Sequence, residues 1–166
     1  MKEKAVPEFR IRSAAPEDIP LVLAFVRELA EYERLSHLVS ATETRLRESL
    51  FGELPGAEVL LGFAGDTPAG FAVYFHNFST FLGVKGLWLE DLFVRPEMRR
   101  RGYGRGLLLH VARIARDRGC GRFEWAALDW NEPAIRFYKS LGAVRLDDWT
   151  IFRVTGAALE RLASMR

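Results

Sequence analysis

The segment from Val94 to Gly106, VRPEMRRRGYGRG, has the residue types of an anion-binding turn. An apolar run stops at Pro96, arginines and glycines follow, and a helical pattern begins near Gly102. Backbone N–H groups at a helix N-terminus, aided by the helix dipole, bind oxyanions. Glycines at 102, 104 and 106 are expected to let the backbone approach a group of oxygens without a Cβ clash. Two familiar phosphate loops are excluded. There is no Gly-Lys-Ser/Thr, and leucines at 107 and 109 stand where a dinucleotide fingerprint needs its third glycine. On spacing alone, a plain helix start with a solvated arginine run remains open.

Acidic residues supply a second kind of chemistry. Glu90 and Asp91 interrupt an apolar strand pattern, Leu87 to Val94. Adjacent strand residues point to opposite faces, so one carboxylate meets an unfavourable side unless a bulge re-aims it. Either an arginine or backbone partner satisfies the pair, or the pair recognises a cationic amine and drains its proton. Glu33 falls where the helical stripe Val26, Leu29, Ala30 requires an apolar residue. Exposure at a helix end and a place in an acidic pocket are both open. Such a pocket would select cations whatever the net charge. Tyr138 is a protonated donor at neutral pH, and is either a core aromatic with Ile135 and Leu141 or a general acid.

The remaining reactive residue types carry less. Cys120 sits between glycines with no histidine near it in sequence, and reads as packing. His37, His76 and His110 have no metal-ligand spacing, so no metal is expected. Arginines at 95, 99, 100, 101 and 105 form a basic patch suited to phosphates, while Arg113, Arg116 and Arg118 read as a solvated helix face. No recognised nucleic-acid module accompanies the patch, and a nucleic-acid partner is not expected.

The elements that must position these residues alternate between period 2 and period 3.6, the mark of an α/β chain. Strands are predicted at 8–12, 58–64, 69–77, 87–94, 122–128 and 149–154. Gly65 and Asp66 form a hairpin turn between two of them. Helices are predicted from Pro16 (stripe Ile19, Val22, Leu23, Val26, Leu29, Ala30), after a Ser40–Glu43 capping box, over 102–118, over 131–141 with Asn131 as N-cap, and over 156–165.

At 166 residues with 49% hydrophobic and 12% aromatic content, the chain suits one domain with a full core. A net charge of +2 and a lone cysteine exclude a disordered chain and a disulfide scaffold. No apolar run is long enough to cross a membrane, and Met1 to Arg12 has no signal-peptide pattern. A soluble, cytoplasmic protein is expected.

Arg99-x-x-Gly102-x-Gly104 resembles the R/Q-x-x-G-x-G/A signature of the GNAT N-acetyltransferases. LEDLFV at 89–94, WNEPAIRFY at 130–138 and ELAEYE at 28–33 resemble the diamine (spermidine/spermine) and thialysine branch. The likeness runs from about residue 11 to 164. It implies one α/β domain over residues 1–166. Its central mixed sheet would be splayed near residues 92–94, with helices on both faces. It implies that acetyl-CoA binds to the backbone of Leu92, Phe93 and Val94, to the loop Arg99, Arg100, Arg101, Gly102, Tyr103, Gly104 and Arg105, and to Asn131 and Ala134. It further implies Tyr138 as general acid, an oxyanion donor at the N–H of Leu92 or Phe93, and Tyr32, Glu33, Glu90, Asp91, Glu124 and Trp125 near a small cationic amine. Arg100 and Arg101 depart from the diamine enzymes, where glycine and an apolar residue stand. With no nucleophile for an acyl-enzyme, direct attack in a ternary complex is expected. A homodimer is implied by the resemblance. The rival expectations are a protein lysine or N-terminus as acceptor, and a CoA-binding module without catalysis.

Overall fold

A computed structural model describes residues 8–166. Its contacts divide the chain into two compact units, the first ending at Ala126 and the second spanning Ala127–Arg166.

The first unit holds a five-stranded sheet in the order β1-β2-β3-β4-β5, with β1 at Phe9–Ser13, β2 at Glu58–Ala64, β3 at Thr67–Ser79, β4 at Val84–Val94 and β5 at Phe123–Trp125. The first four pair antiparallel, and β5 pairs parallel to β4, so the sheet is mixed. The β2–β3 hairpin turns at Gly65, whose φ of 60° lies in the region a Cβ disfavours.

Helix α1, Ile19–Tyr32, follows a 3-10 turn at Pro16–Asp18. Asp18 fixes that turn by accepting from the Ala15 N–H at 2.7 Å. Of the predicted stripe, Ile19, Val22, Leu23 and Ala30 are buried, and Val26 and Leu29 pack at the margin. The stripe omitted Phe25, which is fully buried and stacks on Phe71 at 5.3 Å. Burying such a ring stabilises by about 2–3 kcal/mol, and Phe25→Ala would cost about 3–5 kcal/mol. Helix α2, Glu43–Phe51, is capped by Thr42, whose hydroxyl accepts from the Arg45 N–H at 3.2 Å. This corrects the Ser40 capping box. Thr42 is the residue with extended φ and ψ directly before the first helical turn, so its hydroxyl is the one within reach.

Helix α3, Tyr103–Asp117, covers the other face of the sheet through Tyr103, Leu107, Leu108, Val111 and Ala115. Phe9 is the wedge here. A Cβ on Gly62 would fall 2.7 Å from the Phe9 ring and one on Gly106 would fall 3.0 Å from it, while the ring itself stacks on Tyr103 at 4.2 Å. Gly106 is therefore a packing glycine, not the close-approach glycine the turn pattern suggests.

The second unit contains α4, Glu132–Ser140, and α5, Gly156–Ser164. Asn131 caps α4 as predicted, its Oδ1 accepting from the Ala134 N–H at 3.4 Å. Arg145 reaches Asp129 at 3.1 Å and also pairs with Asp147. The strand predicted at 149–154 is absent among the described residues. An alternating apolar pattern makes a strand only when a neighbour offers its N–H and C=O groups in register, and this unit contains no other strand.

Candidate active site

The pairing of β4 sets the site. Val73 lies opposite Asp91 and Tyr74 opposite Leu89, so Glu90 is the extra residue of a bulge. The bulge resolves the conflict posed by two adjacent carboxylates in an apolar strand. Asp91 lies opposite Val73, which packs on the α1 core. Glu90 is exposed, and its Oε2 accepts from Trp88 Nε1 at 2.9 Å.

The bulge also changes which backbone groups face which neighbour. Before it, Leu87 donates to the Arg122 carbonyl at 3.0 Å, toward β5. After it, Arg95 donates to the Ala69 carbonyl at 2.9 Å, toward β3. Alternation along the strand then directs Phe93 to β3, and Leu92 and Val94 to the opposite edge. β5 no longer occupies that edge, because its pairing ends where Leu89 meets Trp125. Within the first unit the sheet therefore opens beside Leu92–Val94. The Val94 carbonyl accepts from Arg99 Nε at 2.9 Å. The Leu92 N–H and C=O are left on an edge suited to an extended amide chain.

The arginine and glycine turn completes this end of the sheet. Arg100 has φ of 62° and Gly102 of 82°, so the chain coils through left-handed geometry into α3. Gly102 is the N-cap and has no side chain to occupy the N–H groups of the first turn. A cluster of N–H groups at a helix N-terminus is a phosphate cradle. Among the described residues no hydrogen bond or ion pair engages the exposed Arg100 and Arg105 side chains. Arg101 donates to the Glu97 carbonyl at 3.3 Å. Arg95 leaves the proposed patch. It donates to Glu28 from Nε at 2.9 Å and from Nη2 at 2.7 Å, and lies over Phe25 at 4.9 Å. Arg118 likewise is not a solvated helix residue. It forms a two-pronged pair with Glu58, one contact at 2.8 Å, which holds the Glu58 carboxyl below its ordinary range.

The acidic groups gather at the α1 side of the sheet. Burial, then the charge of Glu90, then that of Glu33 push the Asp91 carboxyl up to about 7. Glu33 caps the C-terminus of α1, and burial raises its own carboxyl. Tyr32, beside it, lies under the Arg99 guanidinium at 4.3 Å. Glu124 is held by other residues: Asn77 donates to it at 3.0 Å and Arg122 pairs with it at 2.7 Å. Trp125 lies opposite Leu89, on the face away from Trp88 and Glu124, with its ring 4.9 Å from Phe123. Tyr138, Asn131 and Ala134 belong to the second unit, where the Tyr138 ring is 5.3 Å from Phe137. No group of three or more His, Cys, Asp or Glu among the described residues could hold a metal ion.

A mixed sheet opened beside a bulged strand, followed by an anion-binding turn and helix, suits a co-substrate that carries phosphate on an extended arm. The chain belongs to the acetyltransferase (GNAT) family, whose model matches residues 24–143, and is an acetyl-CoA-dependent N-acetyltransferase. The match crosses the boundary between the two units. Over 164 residues the chain is 40% identical to a thialysine N-epsilon-acetyltransferase of Sus scrofa, covering 92% of this chain and 96% of that one. It is 32% identical over 198 residues to an L-ornithine N5-acetyltransferase of Arabidopsis thaliana, covering 92% and 87%. Among solved structures, an integron cassette protein from the mobile metagenome of V. cholerae superposes with a TM-score of 0.79 at 30% identity, covering 95% and 98%. The sequence resemblance to this family and to its thialysine members holds.

Proposed function

We propose that the protein acetylates a primary amine of a small cationic molecule, of the thialysine, ornithine or diamine kind. The observation that carries this is the bulge at Glu90, where Asp91 lies within electrostatic reach of both Glu90 and Glu33 beside an open sheet edge. An ammonium of this kind has pKa about 10.4 and must lose a proton before it can attack. A carboxyl poised near 7 both attracts that cation and accepts its proton. The acceptors of the two relatives, thialysine and ornithine, support the same class.

The residues present fit acetyl-CoA. The Gly102 N-cap and the left-handed turn suit its pyrophosphate, with Arg99 to Arg105 around it and Arg100 and Arg105 drawing the anion in. The open edge at Leu92 suits its amide arm, and the Leu92 N–H is the oxyanion donor, since Phe93 faces β3. Bound acetyl-CoA supplies a thioester carbonyl for direct attack by the amine in a ternary complex. Asp91, with Glu90 and Glu33, orients the ammonium and takes its proton. Tyr138 Oη gives a proton to the departing sulfur, and Asn131 and Ala134 bind the arm. Tyr32 lines the amine side, with Glu124 further out on β5 and Trp125 on the opposite face of that strand. In this reading residues 1–166 act as one catalytic domain, a homodimer in the cytoplasm.

The test follows free thiol release from acetyl-CoA with thialysine, lysine, ornithine, putrescine, spermidine, spermine and a lysine peptide. Turnover with a small amine and none with the peptide is expected. Turnover with the peptide alone would replace the small acceptor by a protein. CoA binding with no turnover on any amine would leave a binding module.

A further inference from the structure

We infer that Arg99 is a strut joining the pyrophosphate loop to the amine wall, so that binding in one half-site is felt in the other. The inference rests on the proposed reading of those two half-sites. Arg99 opens the motif, and its backbone belongs to the loop. Its side chain is half-buried, unlike those of the exposed Arg100 and Arg105. Nε donates to the Val94 carbonyl at 2.9 Å, on the open edge of β4. The guanidinium lies 4.3 Å from the Tyr32 ring centroid and 5.7 Å from that of Phe93. Tyr32 is the last residue of α1 and precedes Glu33, whose charge acts on Asp91.

One side chain thus touches loop, strand edge and amine wall. An arginine suits this because its flat guanidinium stacks while Nε donates in the plane; a lysine cannot do both. When the loop closes on phosphate oxygens, the Arg99 backbone must hold the geometry that keeps its head group on Tyr32. A rotation of Tyr32 around a bound amine likewise disturbs the Val94 bond and the loop. Coupling of this sort is reciprocal in binding free energy. Arg99 is therefore a positioning residue for the amine site, beyond any pull it exerts on phosphate.

The experiment measures CoA affinity by titration calorimetry and thialysine kcat and KM in four variants. Tyr32→Leu lies outside the loop, yet its CoA Kd is expected to rise about 5- to 10-fold, the size of a half-buried cation–π contact. Tyr32→Phe keeps the ring and should keep the CoA Kd. Arg99→Lys keeps the charge, yet thialysine KM should rise about tenfold together with the CoA Kd. The double variant Arg99→Lys/Tyr32→Leu should bind CoA no worse than the weaker single variant. A CoA Kd within twofold of wild type in Tyr32→Leu overturns the strut, as does additivity in the double variant. Should Arg99→Lys fail to fold, the two Tyr32 variants decide alone. A wild-type protein that binds no CoA, or acetylates no amine, refutes the proposed function instead.

Discussion

Asp91→Asn should make the protein more stable, and only at the higher pH values. In the unfolded chain this carboxyl has its ordinary value of 3.8, and in the folded protein burial and the charges of Glu90 and Glu33 push it up to about 7. Between those values the folded form keeps a proton that the unfolded chain has lost. Stability therefore falls as pH rises through that window, and the loss is complete above 7. Each tenfold change in proton affinity is worth about 1.36 kcal/mol, which puts the full penalty at about 4 kcal/mol. The amide carries no charge and escapes it. At pH 4 the variant and wild type should melt together. At pH 8 the variant should be more stable by about 2–4 kcal/mol, or about 5–15 °C in Tm for a chain of this size. Differential scanning calorimetry without ligands, at fixed ionic strength from pH 4 to 8, reads the difference. A constant difference across the range, or one favouring wild type at pH 8, would refute the burial and like-charge argument. The same group gives kcat/KM of the wild type an acid limb centred near 7, which the variant loses.

Tyr138→Phe should lower kcat about 100-fold or more and leave the CoA Kd within twofold, as expected for a proton donor; an unchanged kcat in steady-state assay removes the role. Gly62→Ala should destabilise by about 1–3 kcal/mol, because its Cβ would fall 2.7 Å from the Phe9 ring, and a melting curve like that of wild type would deny the wedge. Gly102→Ala meets open space but needs φ of 82°, so a loss of about 1–2 kcal/mol together with weaker CoA binding should appear in calorimetry; full CoA affinity would show that the turn is not the cradle.

Most of the site's frame is legible in the sequence because it rests on local signals. The glycine and arginine turn, the α3 pattern, the Gly65–Asp66 hairpin and the Asn131 cap each depend on residues a few positions apart. The adjacent carboxylates even signalled a bulge, since plain alternation cannot satisfy both. What escaped was set at long range. Gly106 reads as a phosphate-loop glycine until Phe9, from the other end of the chain, fills its space. Arg95 reads as a patch residue and Arg118 as a solvated helix residue until Glu28 and Glu58 take them. The pattern at 149–154 predicts a strand, but strand formation depends on a neighbour that no local pattern specifies.

In the proposed function Asp91 and Glu33 recognise the charge of a small amine. Its most direct test compares kcat/KM for 1,4-diaminobutane with that for a monoamine of equal length, at fixed ionic strength, in wild type and in Asp91→Asn/Glu33→Gln. Wild type should prefer the dication at least about tenfold, and the preference should collapse in the variant. An equal preference in both proteins, or none in wild type, would contradict it.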